Sequence, residues 1–278
     1  MRVLFLIMYF LVILLIYFFI ENRMLIVRKY KIKTKCPSGI APLKIVQLSD
    51  IHKRTYKNGW ARLVLRIKSL EPDIILITGD LVSRSVQDFE YTGVLMKKLS
   101  SICPVYCCLG NHELDFTDKQ MDDYMKMINQ SGAVLLDNET AVYKKNGKTI
   151  NITGASLKLS CYKNKDGKYS GLHYYSEREI RNDLGEKSGF TILLAHNPFF
   201  SDAYAHWGAE LTFSGHVHGG AVRLPFIGGL LSPERKFFPE KSLGVYETDG
   251  KKLVVSAGIG KYRLFNPPEI LYAEIESE

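Results

Sequence analysis

The sequence predicts an α/β fold with mixed sheets between helices, and three features lead to it. Short apolar runs recur about every thirty residues in the first half, with amphipathic stretches between them. These runs end at Asp, Asn or His residues. The second half changes to segments that turn at Asn-Gly and Asp-Gly.

Val3 to Ile20 is an uninterrupted apolar run. As a helix it spans about 27 Å, close to the hydrocarbon thickness of a bilayer. It exceeds a signal-peptide core in length, and no small-residue cleavage site follows, so a retained anchor is expected. A helix buried in a soluble core would carry a polar face. Arg28 to Thr34 then alternates, with Tyr30 and Ile32 on one face and Lys29, Lys31 and Lys33 on the other. That pattern predicts an edge strand whose lysines discourage edge-to-edge pairing.

Strands are expected at Lys44–Asp50, Asp73–Asp80, Pro104–Gly110, Phe190–His196 and Leu211–Gly215. Their continuous apolar character suits strands covered on both faces. The spacing of the first three leaves room for crossover helices. Gly59–Leu70 repeats near a 3.6-residue period and stops before Pro72. Ser85–Leu99 is a second helix candidate, weakened by Gly93. Asp118 is expected to cap a third helix through Met127, with Met121, Tyr124, Met125 and Ile128 on one face. Hairpins are expected over Val142–Ile152, turning at Asn146-Gly147, and over Leu243–Val255, turning at Asp249-Gly250. The polar stretch Lys158–Tyr175 reads as a long surface loop near the site.

Five motifs carry the chemistry: Asp50-Ile51-His52, Gly79-Asp80, Gly110-Asn111-His112-Glu113, Ala195-His196-Asn197 and Gly215-His216-Val217-His218-Gly219-Gly220. They supply oxygen and imidazole ligands for divalent metals, and no Cys, so a closed structural zinc cage is not the natural reading. Each follows an expected strand, as in a two-metal hydrolase whose ligands gather at the carboxyl ends of strands. Gly79, Gly110 and Gly215 are expected to allow sharp turns that aim the ligands inward.

The ordered set resembles the calcineurin-like metallophosphoesterase family from about Lys44 onward. The resemblance implies a four-layer αββα sandwich of two mixed sheets flanked by helices, here preceded by one N-terminal transmembrane helix. It implies a metal-dependent phosphoesterase with two divalent ions, Mn2+, Fe2+/3+, Zn2+ or cobalt. Asp50, His52 and His218 would hold the first ion, and Asn111, His196 and His216 the second. Asp80 would bridge them, and a hydroxide held between the ions would attack the phosphorus. His112 matches the family's non-ligand catalytic histidine, which stabilises phosphoryl charge or protonates the leaving oxygen. Glu113 would orient His112 or a ligand. The Gly-His-Val-His-Gly-Gly block, Arg223–Gly229 and Phe237-Phe-Pro239 look most like the membrane-anchored or exported bacterial branch.

This yields an anchor at residues 1–22, a linker and edge strand at 23–43, and a catalytic domain at 44–278. The expected substrate is an envelope or lipid-linked phosphodiester. The alternatives are a soluble phosphomonoester or nucleotide substrate, or a non-catalytic metal-holding module. Basic residues flank the span on its carboxyl side, which under the positive-inside rule places the domain in the cytoplasm. The resemblance implies an extracytoplasmic domain, and that is the expectation adopted.

Charged residues at 24% and hydrophobic residues at 46% exclude wholesale disorder. The net charge of +8 suits an anionic substrate or membrane surface, and no nucleic-acid motif is present. Arg223, Arg235, Lys236, Lys261 and Arg263 read as a solvated basic surface or a phosphate grip. Leu224–Leu231 is either a packed segment or a substrate rim near the bilayer. His173 and His206 read as ordinary core or surface histidines. Five cysteines cannot all pair, and adjacent Cys107 and Cys108 read as buried free thiols facing opposite sides of a strand. Oligomeric state is left open.

Overall fold

The computed structural model describes residues 2–52, 59–164, 166–167, 171–220, 222–224, 226–233, 235–260 and 263–278. Helix α1 (Arg2–Glu21) opens the chain with its apolar side chains largely exposed. With a mean hydropathy of 3.1 it is long and apolar enough to cross a membrane.

β1 (Ile26–Thr34), β2 (Leu43–Leu48), β3 (Ile74–Thr78), β4 (Val105–Cys108) and β5 (Val134–Leu135) alternate, after β2, with α2 (Ala61–Lys68), α3 (Glu90–Ser100) and α4 (Asp118–Ser131). β6 (Thr140–Lys145), β7 (Lys148–Ala155), β8 (Thr191–Ala195) and β9 (Leu211–Ser214) follow, with α5 (Glu177–Leu184) after β7 and α6 (Ser201–Trp207) after β8. A short ribbon, β10 (Arg223–Leu224) and β11 (Gly228–Gly229), precedes the hairpin of β12 (Gly244–Thr248) and β13 (Lys251–Val255). β14 (Glu269–Ser277) ends the chain.

The first sheet has the order β1-β14-β2-β3-β4-β5 and the second β12-β13-β9-β8-β7-β6. β2 to β5 run parallel, and β14 lies antiparallel to β2. β7, β8, β9 and β13 run parallel, with antiparallel β6 and β12 on the edges. Both sheets are therefore mixed. Ile45, Leu76, Tyr106, Ile152, Leu194, Phe213 and Leu271 fill the space between them. Leu63, Ile67, Leu95, Met96 and Tyr124 cover the outer face of the first sheet, and Ile180, Tyr204 and Trp207 that of the second. This is the expected four-layer arrangement, and the period-two burial of β1 matches its expected edge position.

Both turn dipeptides behave as their chemistry requires. Asn146 and Gly147 have φ of 51° and 75°, and Asp249 and Gly250 have 50° and 72°, the left-handed pair of a type I′ turn. Cys107 faces the helix-side core and Cys108 the inter-sheet core, and all five thiols are free.

The helices depart from expectation in three places. α3 starts at Glu90, not Ser85. Gly93 is in it because a Cβ there would meet Met127 Cγ at 3.1 Å, so α3 and α4 approach closely. α4 is capped by Thr117 in a capping box with Gln120, not by Asp118, and it runs on to Ser131. Tyr124, Met127 and Ile128 are its buried stripe, while Met125 is exposed.

Parallel strands bring their carboxyl ends to one edge, and cross-ties join the edges of the two sheets. Gln47 Nε2 donates to Thr78 Oγ1 at 2.8 Å within the first sheet and to Ser214 O at 2.8 Å in the second. The Nδ1–H of His196, after β8, donates to Thr78 O at 2.6 Å.

The capping assignment makes a prediction. Thr117→Ala should cost about 1 kcal/mol in chemical denaturation, and Asp118→Ala clearly less, since it removes only a charge near the helix start. The reverse order would return the cap to Asp118.

Candidate metal centre

Every motif lies just past a strand. Asp50 and His52 follow β2, Asp80 follows β3, Asn111 and His112 follow β4, His196 follows β8, and His216 and His218 follow β9. Asp50, His52, Asp80, His216 and His218 all have φ between 51° and 67°. This left-handed region is sparsely populated by residues other than Gly, though Asp and His are among those that tolerate it. Each such residue costs of order 1–3 kcal/mol and persists only where its surroundings over-determine it.

Two close approaches provide that determination. A Cβ on Gly215 would sit 1.8 Å from Ser49 Oγ, and one on Gly110 would sit 2.3 Å from Asp80 Oδ1. Neither glycine has positive φ. They are needed for the absence of a side chain, not for the expected sharp turn; of the three expected, only Gly79 turns with positive φ, at 82°.

Asp80 lies at the middle of the cluster. Its Oδ2 is 3.4 Å from His196 Nε2, 3.7 Å from His52 Nε2 and 3.8 Å from His112 Nε2. Asp50 Oδ1 is 3.6 Å from His218 Nδ1 and 3.9 Å from His196 Nε2. Ligand-capable atoms converge in three overlapping groups: Asp50, His52 and His218; His52, Asp80 and His112; Asp50, Asp80 and His196. The backbone N–H of His216 donates to the Asp50 carboxylate at 3.1 Å, and its ring lies 5.0 Å from that of His196. Asn111 is buried in the turn whose next N–H, from His112, donates to Asp80 Oδ1 at 2.8 Å.

The residues fit metal ions by one test in particular. Asn111 Oδ1, His196 Nε2 and His52 Nδ1 are buried and make no hydrogen bond. A buried polar atom without a partner costs about 1–3 kcal/mol, and these three sit on expected ligands. His196 Nε2 approaches Asp80 closely enough for charge pairing but without hydrogen-bond alignment.

Electrostatics agree. Burial by itself raises the Asp80 carboxyl, but the charge and contact of His196, with His52 and His112, outweigh it and hold Asp80 well below the ordinary carboxylate range. Burial opposes a proton on His196, yet Asp80 and then Asp50 raise it to about 10. A cation bound here therefore displaces a proton from His196.

His112 differs from its neighbours. Its Nδ1 accepts from the Arg84 N–H at 3.1 Å. The neutral ring then carries its proton on Nε2, which faces Asp80 and His52. Burial, with His52 and Arg84 adding to it against Asp80, lowers His112 to about 4, so the ring is neutral near pH 7.

Glu113 orients the backbone, not the His112 ring. Its Oε2 accepts from Asp80 N–H at 2.9 Å and Gly110 N–H at 2.8 Å, and its Oε1 from Val82 N–H at 3.1 Å. Burial first, then Asp80, raises its carboxyl to about 7. Arg263 is not the solvated cation expected. It is buried, donates to Gly258 O at 3.0 Å and lies 3.4 Å from His218 Nδ1. Asn266 Nδ2 donates to the His218 and Gly220 carbonyls. Tyr162, in the expected long loop, stacks edge-on against His216 at 5.0 Å. Arg235 and Lys236 are exposed, and Lys261 lies outside the described residues. His173 and His206 are exposed away from the cluster, beside Glu179 and Asp249. Phe226 and Ile227 are exposed, so packing does not account for these two residues of the apolar loop.

The model of the calcineurin-like phosphoesterase family matches residues 43–220. An uncharacterized metallophosphoesterase of Aquifex aeolicus is 30% identical over 271 residues, spanning 94% of this chain and 96% of its own. The UDP-2,3-diacylglucosamine pyrophosphatase LpxG of Chlamydia trachomatis is 28% identical over 278 residues, 82% of each chain. Among solved structures, the sulfate thiohydrolase SoxB of Thermus thermophilus has a TM-score of 0.50 at 11% identity, covering 81% of this chain and 53% of its own, a likeness of fold alone. Taken with the Asp and His groups at the strand ends, these matches show that the chain belongs to the calcineurin-like phosphoesterase family and is a metal-dependent phosphoester hydrolase.

Proposed function

We propose that the chain is a membrane-anchored phosphodiesterase acting on an envelope or lipid-linked phosphoester, with residues 1–22 as anchor and the domain at 44–278 extracytoplasmic. The observation that carries the hydrolytic reading is the convergence on Asp80 of imidazoles from three different strand ends, with buried unpartnered ligand atoms beside them. Asp50, His52 and His218 hold one ion in this reading, Asn111, His196 and His216 the other, and Asp80 both. Manganese, iron and zinc all suit such nitrogen and oxygen ligands.

Bound divalent ions supply charge stabilisation for the phosphoryl oxygens and a water acidified toward neutral pH. The protein's own part is positioning. Glu113 fixes the backbones of Asp80 and Gly110 through three amides. The Thr78 carbonyl orients the His196 ring, leaving Nε2 for an ion. Arg84 holds His112 in the tautomer that presents Nε2–H to a phosphoryl or leaving oxygen. The low basicity of His112 favours hydrogen-bond donation over service as an imidazolium acid.

The membrane reading is supported by α1 and by the +8 net charge. The lipid reading is supported by similarity to LpxG, which is named for a diacylated, nucleotide-linked substrate.

The test is hydrolysis of bis-p-nitrophenyl phosphate beside p-nitrophenyl phosphate by the full chain in detergent, stripped of metal and restored with manganese. Metal-dependent release from the diester is expected, falling about 100-fold or more in His112→Ala, with metal content unchanged. Release from the monoester alone would favour a phosphomonoesterase. No turnover by a folded chain holding two ions would favour the non-catalytic module. A second prediction concerns the lipid. The paired change Phe226→Ser and Ile227→Ser should reduce hydrolysis of a lipid-linked phosphodiester about tenfold more than that of a soluble one, the factor for about 1.4 kcal/mol of lost apolar contact. Equal losses on both would reject a lipid-linked substrate.

A further inference from the structure

Outside α1, every exposed phenylalanine among the described residues belongs to one of three segments: Phe226, Phe237 with Phe238, and Phe265. Phe226, Ile227, Phe238 and Phe265 line one cavity of about 570 Å3, together with Arg28 and Arg223. Phe226, Phe238 and Phe265 have φ of 66°, 51° and 57°, a conformation that bulky residues rarely adopt.

One wall residue of the cavity, Phe265, packs against the end of α1. The Tyr17 and Phe265 rings are 5.3 Å apart. Phe265 N–H donates to Glu21 Oε2 at 2.7 Å, and Glu21 is buried at the last turn of the helix. Asn22 exchanges two hydrogen bonds with the Arg263 backbone, at 2.9 and 3.1 Å. Helix and domain are thus joined without a slack tether. If α1 spans the bilayer, the interface passes its carboxyl end, and Phe265 lies there.

We propose that the Phe226–Ile227, Phe237–Phe238 and Phe265 segments form a second membrane contact, seated in the leaflet beside α1, with Arg223 at the depth of the lipid phosphates; Arg28, also in the cavity wall, is paired with the buried Glu269 at 2.6 Å. Apolar faces that carry Phe and Leu side chains bury about 5–10 Å into the headgroup–acyl boundary, and a cation beside them matches an anionic surface. Arg223 Nη1 also donates to Gly219 O at 3.2 Å, next to His218, so the cavity adjoins the metal-ligand turn. A lipid headgroup would then reach the centre without leaving the membrane surface. This rests on the anchor reading above and adds the orientation of the domain to it.

The test uses the full chain in nanodiscs of phosphatidylcholine and phosphatidylglycerol with brominated acyl chains. Phe226→Trp and Phe238→Trp each add a fluorophore over the buried Trp60 and Trp207. Val142→Trp is the control, exposed on β6 at the far edge of the second sheet from β12, whose Tyr246 lines the cavity. Bromine should quench the added fluorescence of the first two variants at least about twofold, as for rings seated at the headgroup–acyl boundary, and leave that of the control unchanged. Added fluorescence in a nanodisc-bound chain that is quenched no more than the control would overturn the second contact and leave the anchor standing. A chain that does not enter nanodiscs would overturn both.

Discussion

Asp80 is the group on which the centre depends. Its carboxylate is buried, and its close contacts run to histidine rings. Removing a charge from water costs several kcal/mol unless it is paired and hydrogen-bonded. One oxygen is answered by the His112 N–H and the other by three imidazoles. Imidazoles at 3.4–3.8 Å are an incomplete answer, which divalent cations would complete. The same attraction that raises His196 marks where positive charge belongs.

Holding those groups together requires backbone that ordinary strands do not supply. The ligand turns leave the strand ends in left-handed conformations. They are held there by contacts too tight for a Cβ at Gly110 or Gly215, and by the three amides that Glu113 receives. Gln47 and His196 bind the two sheet edges to each other across the same region. The core between the sheets sets where the strands end, and those ties set where the ligands point.

Much of this was legible in the sequence because it is local. The candidate ligand residues follow apolar runs directly, so their place at strand ends could be read from the runs. Asn146-Gly147 and Asp249-Gly250 announce their turns by backbone preference alone. What escaped was long-range. Nothing near Arg263 signals that it is buried 45 residues along the chain from its neighbour His218. Glu113 reads as a partner of His112 or of a ligand, yet nothing local shows that it acts through amides more than thirty residues away, that of Asp80 among them. Tyr162 stands in a polar stretch that reads as a surface loop near the site, but nothing in it marks this side chain as buried against His216. Thr117 and Asp118 both favour helix starts, and the choice between them rests on which side chain reaches the N–H of Gln120.

A two-ion centre stands or falls on where the ions sit. A crystal structure of the full chain grown with manganese, with anomalous difference maps collected near the metal edge, measures this directly. Two peaks are predicted about 3.5–4 Å apart, one among Asp50, His52 and His218, the other among Asn111, His196 and His216, with Asp80 between them. A single peak, two peaks with Asp80 bound to neither or only one, or density centred on His112 Nε2 would contradict it.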